Sequence, residues 1–172
     1  MTTLDDPTIK TLALGDLDQE LARTRALLER VPDKDGDWRP HAKSFTLREL
    51  SAHLENLLFW LLLTVRESEF DTAAAPPNRP VPETTAELLQ QYDEKAMLVT
   101  EAVAQMTTDD MLADWTLRHG DHVIFTMPRA AVLRSFGITH MAHHRGQLSV
   151  YLRMRDVLLP QTYGPTADEP GG

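Results

Sequence analysis

Apolar residues recur at steps of three and four through four stretches of the chain, and residues that start or stop helices bound each stretch. The first stripe is Leu17, Leu21, Thr24, Leu28 and Val31, with Asp6 and Pro7 placed upstream as N-cap and first helical position. In the second, Leu47, Leu50, Leu54, Leu57, Leu58, Leu61 and Val65 follow Thr46 and Glu49, which have the spacing of a capping box. Thr84 and Glu87 repeat that spacing before Leu88, Tyr92, Val99, Val103 and Met106. The fourth stripe runs Leu133, Phe136, His140, His144, Gln147, Tyr151; Pro128 suits its first turn and Pro160 stops any continuation.

The connections differ in kind. Ala73 to Pro82 contains four prolines, which forbid helix and suit an extended crossover; a proline-recognition motif is the poorer reading. Trp115 to His119 and His122 to Met127 alternate around Gly120 and Asp121, which predicts a hairpin closed by a type II′ turn. His119 and His122 then flank an exposed turn and carry no chemistry. The pattern predicts an all-α fold, a four-helix bundle with long crossover connections and a small β-hairpin before the last helix. Residues 1–172 read as a single domain. Gly137 and Gly146 each cost about 1 kcal/mol inside a helix, so close packing or room near a site is expected at both.

Composition narrows the chemistry. The chain has 172 residues, 42% of them hydrophobic and 25% charged, and no cysteine. A disulfide framework, a thiolate metal site and a cysteine nucleophile are thereby excluded, and any metal must be held by nitrogen or oxygen. The net charge of -9, with no basic stripe, argues against binding to a phosphate backbone. The N-terminus lacks the basic start and apolar run of a signal peptide, and the apolar stretch Leu57 to Val65 is about half of a bilayer span. A cytoplasmic protein without membrane or nucleic-acid partners is expected.

Three of the seven histidines fall within five residues, in His140-Met141-Ala142-His143-His144. Residues four apart stand one above the other on a helix, so His140 and His144 can face one ion while His143 lies off their line. Imidazole suits zinc and nickel, and open sites commonly use three protein ligands. The same pair occurs in zinc proteases, but Met141 stands where their glutamate base would be. Spacing alone leaves a ligand pair and a chance pair of packed histidines both open. His53, bordering the apolar face of the second stripe, taken alone reads as a satisfied core residue.

The run His140 to Tyr151, HMAHHRGQLSVY, with Leu152, Arg153 and then Tyr163 to Glu169, YGPTADE, resembles the C-terminal signature of the DinB/YfiT-like superfamily. Weaker similarity in helix order and in Leu50 to Trp60, LSAHLENLLFW, extends over most of the chain. The resemblance implies a four-helix-bundle metalloenzyme in which His53 joins His140 and His144 as ligands of one divalent ion, zinc or nickel. Glu49 or Asn56 could then orient His53, although Glu49 serves equally well as a helix cap. Gln147 and Tyr151 continue the histidine stripe as candidate catalytic or substrate-steadying groups, or as packing residues. Arg145 is expected to meet the C-terminal tail or solvent, and Trp60 to serve as core wall.

Two classes of function follow. One is a metal-dependent enzyme, a hydrolase or a transferase acting with a low-molecular-weight thiol on a small molecule. Thirteen arginines against four lysines hint at a GC-rich source and hence at mycothiol. The alternative is a non-catalytic stress-response or binding module that keeps the ion for structure. A homodimer formed through the outer positions of the first helix is also expected.

Overall fold

The computed structural model describes residues 6–75 and 80–169, and it is mostly helical with one small sheet. The first expected helix is divided in two, α1 (Asp6–Leu14) and α2 (Leu17–Leu28), and the stripe from Leu17 to Leu28 lies on α2. After a 3-10 turn at Asp33–Asp35 come α3 (Leu47–Arg66), β1 (Glu69–Asp71), α4 (Thr85–Gln105), α5 (Thr108–Leu112), β2 (Asp114–His119) and β3 (His122–Pro128). The last helical stretch has three parts: α6 (Arg129–Val132), a π-helical segment Leu133–Thr139, and α7 (His140–Arg153).

Both expected capping boxes form. The Thr46 hydroxyl accepts from the Glu49 amide while the Glu49 carboxylate accepts from the Thr46 amide at 2.7 Å, and Thr84 with Glu87 does the same. Glu49 therefore serves as the cap of α3. A third box, Thr107 with Asp110, starts the short helix α5. Each satisfies otherwise orphaned amides of the first turn, typically worth about 1 kcal/mol.

The core is built by the stripes. Leu17, Leu21, Thr24, Leu28 and Val31 are buried, as are Leu47, Leu50, Leu54, Leu57, Leu58 and Leu61 on α3 and Leu88, Tyr92, Val99 and Val103 on α4. α3 packs on α4 and α7, and α2 packs on the same two helices from the other side.

The hairpin forms as expected, His119 pairing with His122 and Gly120 alone in the loop taking a positive φ of 57°, the pattern of a II′ turn. It is not a free hairpin. β1, a three-residue strand, pairs in parallel with β2, and Arg118 donates to Asp71 at 2.7 Å and to Glu69 at 2.9 Å. The fold is thus helical with a three-stranded sheet, one strand more than the expected hairpin. Part of the proline-rich crossover, residues 76–79, lies outside the described residues.

The fourth stripe is displaced. On α7 the residues that meet the core are Met141, Arg145, Leu148 and Leu152, all 1% exposed or less. Phe136 is 40% exposed, and the histidines stand at the flank of the inner face rather than at its centre. The cause is the π segment: closing i→i+5 bonds inserts an extra residue per turn and rotates everything beyond it. The segment lies against α3 at Gly137, where a Cβ would come 2.2 Å from Leu61 Cδ2, so the expected close packing is found there. Gly146 faces open space, and nothing in the structure explains it.

Arg145 meets the C-terminal tail as expected, but from inside the core rather than from solvent. Its guanidinium is buried and donates to the Glu20 carboxylate at 2.5 Å, the Glu20 carbonyl at 3.1 Å and the Thr24 hydroxyl at 2.9 Å. Tyr163 from the tail bonds Arg145 and donates to Glu20 at 2.7 Å, so the tail contact is present but solvent is not. Burial pushes the Glu20 carboxyl up, yet the hydrogen bonds from Arg145 and Tyr163 outweigh it and the group ends below its ordinary range. Removing one partner of such a pair leaves a buried charge, a loss of about 3–5 kcal/mol. Arg145→Ala should lose that much in urea denaturation, and Glu20→Ala added to it should cost far less than the sum of the two single losses.

Candidate metal centre

α3 and α7 pack against each other, and they carry His53 and the pair His140 and His144 to one place. One ring nitrogen from each histidine lies within 4.8 Å of the others, close to the roughly 3–4 Å separation of nitrogens that share an ion at about 2.1 Å. The rings pack edge to face, His53 on His144 with centroids 4.4 Å apart and His53 on His140 at 5.4 Å. Phe45, in the loop before α3, stacks on the outer side of His53 at 5.6 Å. Among the described residues these three are the group of histidines and carboxylates able to hold an ion. His119 and His122 lie at the exposed hairpin turn, and His143 is exposed on α7.

The hydrogen bonds select the nitrogens. His144 Nδ1 lies 2.8 Å from Gln147 Oε1, an acceptor, so Nδ1 carries the proton and Nε2 keeps its lone pair. The His140 ring bonds the main-chain carbonyl of Phe136, which likewise fixes a proton on that side. The two Nε2 atoms then face each other at 2.8 Å. Two lone pairs that close repel unless a cation neutralises them, and a proton is disfavoured here. Burial pushes the His53 ring down to about 4, with the neighbouring His144 and His140 adding to the effect. His140 and His144 are also lowered, chiefly by burial, although the Phe136 and Gln147 hydrogen bonds oppose it. The donor set is three neutral imidazoles with convergent lone pairs, which fits a divalent ion of the zinc or nickel type.

Two cavities meet at His53. One, of about 270 Å³, is walled by Trp60, Trp115, Phe125 and Phe136 and has His53 and His140 in its lining. The other, of about 650 Å³, is mixed in character and includes Glu49, Glu55, Gln91 and Lys95 beside His53. Trp60 therefore faces a cavity at the histidines and is more than core wall. Gln147 is on His144, as given above, whereas the Tyr151 ring meets Trp38 edge-on at 5.7 Å.

The family model of the DinB superfamily matches residues 16–148. The chain belongs to the DinB superfamily. The uncharacterized protein YrdA of Bacillus subtilis is 24% identical over 150 residues, covering 87% of this chain and 85% of its own. A DinB-like protein from Bacillus cereus superposes with a TM-score of 0.68 at 22% identity, covering 88% of this chain and 95% of that one. A second, YjoA from Bacillus subtilis, gives 0.64 at 16% identity, with 92% and 98% covered. At these identities the structural likeness speaks for the DinB fold alone. No helix among the described residues is long and apolar enough to cross a membrane.

The sequence signals found the three histidines but neither cavity; the walls of the smaller one come largely from α3, β2, β3 and the π segment.

Replacing His53, His140 or His144 with Ala should remove most bound metal from protein purified without nickel resin, and His143→Ala should leave the content unchanged. Acid should release the ion later than the ordinary histidine range of about 6.5 implies. The lowered ring values move proton competition below 6.5, toward about 4 for His53. In the unfolded chain the same rings take protons near 6.5, so chelator-treated protein should lose stability as the pH falls from about 6.5 toward 4. Chelator competition and thermal melts across that window measure both.

Proposed function

We propose that this DinB protein is a metal-dependent enzyme, a hydrolase or a transferase that uses a low-molecular-weight thiol such as mycothiol, acting on a small molecule. The observation that carries the reading is that two of the three ligand histidines line a cavity, so an ion held there has free space beside it. An ion kept only for structure is ordinarily closed in by four protein ligands. When bound, the divalent ion, zinc or nickel, supplies a Lewis acid that favours the deprotonated form of an incoming thiol or water near pH 7.

The remaining work falls to side chains. His53, His140 and His144 hold the ion through neutral imidazoles. Gln147 fixes the His144 tautomer and ring angle through its 2.8 Å hydrogen bond, the orienting role that outer partners play around metals. Phe136 does the same for His140 through its carbonyl. Tyr151, half-buried against Trp38 and in neither cavity lining, is read as a packing residue rather than a group that steadies the substrate. The closed ring of contacts from α2 to α4, α3 and α7 supports reading the helices as a four-helix bundle, in which sites form between facing helices. A cytoplasmic homodimer, pairing through the outer face of α1 where Leu12 is 73% exposed, completes this reading.

Cobalt substitution tests it, because the visible spectrum of cobalt responds to ligand exchange. Azide and small thiols should each change the spectrum of the cobalt-loaded protein. A spectrum unmoved by every candidate, with all three histidines still bound, assigns the site to a structural role.

A further inference from the structure

Among the described residues, none of those lining the cavity of about 270 Å³ is Asp, Glu, Lys or Arg. Its walls are apolar, with Leu57, Leu117 and Val132 beside four aromatic rings from distant parts of the chain: Trp60 on α3, Trp115 on β2, Phe125 on β3 and Phe136 on the π segment. Phe125 stacks on Phe136 with centroids 4.8 Å apart and planes 15° from parallel, and Trp60 stands edge-on to Phe70 at 5.0 Å. Phe136 is 40% exposed, an apolar ring left partly in water beside the cavity. Such rings present faces and edges for a further ring, which binds by offset stacking or edge-to-face contact.

We propose that this cavity binds the ring portion of the substrate, a neutral planar aromatic of one or two rings whose single polar group is directed at His53 and His140. Size sets the upper limit. A void of about 150 Å³ already takes benzene, and drug-sized ligands use roughly 300 Å³ or more, so this cavity fits one or two rings. Charge sets the second limit. A charged group placed among these walls would lose its water with no counter-charge to replace it. The histidine end is the exception, because an ion held there accepts one anionic or lone-pair substituent. Further charged parts of the reactants belong on the other side of His53, where Lys95 is ion-paired with Glu55. The inference rests on the metal-dependent reading only for the direction of the polar group.

Calorimetry on chelator-treated and zinc-loaded protein tests the two parts separately. The chelator-treated protein should bind 2-naphthol saturably and its saturated, non-planar counterpart decahydro-2-naphthol at least tenfold more weakly. Trp60→Leu removes a wall, and Leu117→Trp, at a half-buried lining position on β2, fills the space. Each should weaken 2-naphthol at least tenfold with an unchanged far-ultraviolet circular dichroism spectrum, and either variant alone suffices if the other fails to fold. Equal binding of the two alcohols, no binding, or binding untouched by the folded variants overturns the aromatic site. Zinc should then strengthen 2-naphthoate at least tenfold. If zinc is bound and the carboxylate gains nothing, the polar group does not face the histidines and that half of the proposal is overturned. Failure of the metal reading would appear separately, as protein that takes up no zinc while still binding 2-naphthol.

Discussion

The ion pair between Glu20 and Arg145 is the constraint on which the arrangement of helices rests. Both groups are shut away from water, and neither can be left there without the other. Arg145 therefore fixes which face of α7 turns toward α2, and the apolar residues Met141, Leu148 and Leu152 follow on the same side. Thr24 and Tyr163 take the remaining bonds around the pair, and Arg23 closes the other carboxylate oxygen at 2.6 Å. Apolar contacts alone would allow α7 some freedom to roll. A charge that must find its partner does not.

Once α7 is held in that orientation, His144, the residue before Arg145, projects toward the flank occupied by α3. The site is thus an indirect product of the core. Its residues need not be well packed, because Gln147 and the Phe136 carbonyl hold the two rings through their outer nitrogens. The convergence of unprotonated nitrogens costs energy that a packed leucine would not, and such local conflict is characteristic of functional positions.

What could be read from the chain was what is local. Capping boxes at Thr46 and Thr84 depend on residues three apart, and the spacing of His140 and His144 depends on one helical turn, so both were legible. His53 was not legible by itself, since one histidine at the edge of an apolar stripe looks like any packed imidazole; the family resemblance supplied it. The fourth stripe was assigned one face away from where it lies, because a uniform period of 3.6 cannot anticipate an extra residue per turn between Leu133 and Thr139. The burial of Arg145 was illegible for the same reason, although its contact with the tail was not. β1 escaped notice because three residues, only Phe70 of them apolar, have no period to detect. Trp60, Trp115, Phe125 and Phe136 are an aromatic wall only in three dimensions, with nothing in their spacing to join them.

The π segment also determines how this region can change over generations. A π turn is what an α-helix becomes when one residue is inserted and the flanking contacts hold their ground. Upstream, Arg129 is anchored to the Asp110 and Glu67 carbonyls; downstream, Arg145 is anchored to Glu20. Between two fixed ends, losing a single codon would relax the segment to regular helix and swing one end by about 100° relative to the other. Substitutions here alter side chains one at a time, but a one-residue deletion would part the histidine pair from His53 or the hairpin from its cavity, so length is under tighter restraint in this stretch than sequence.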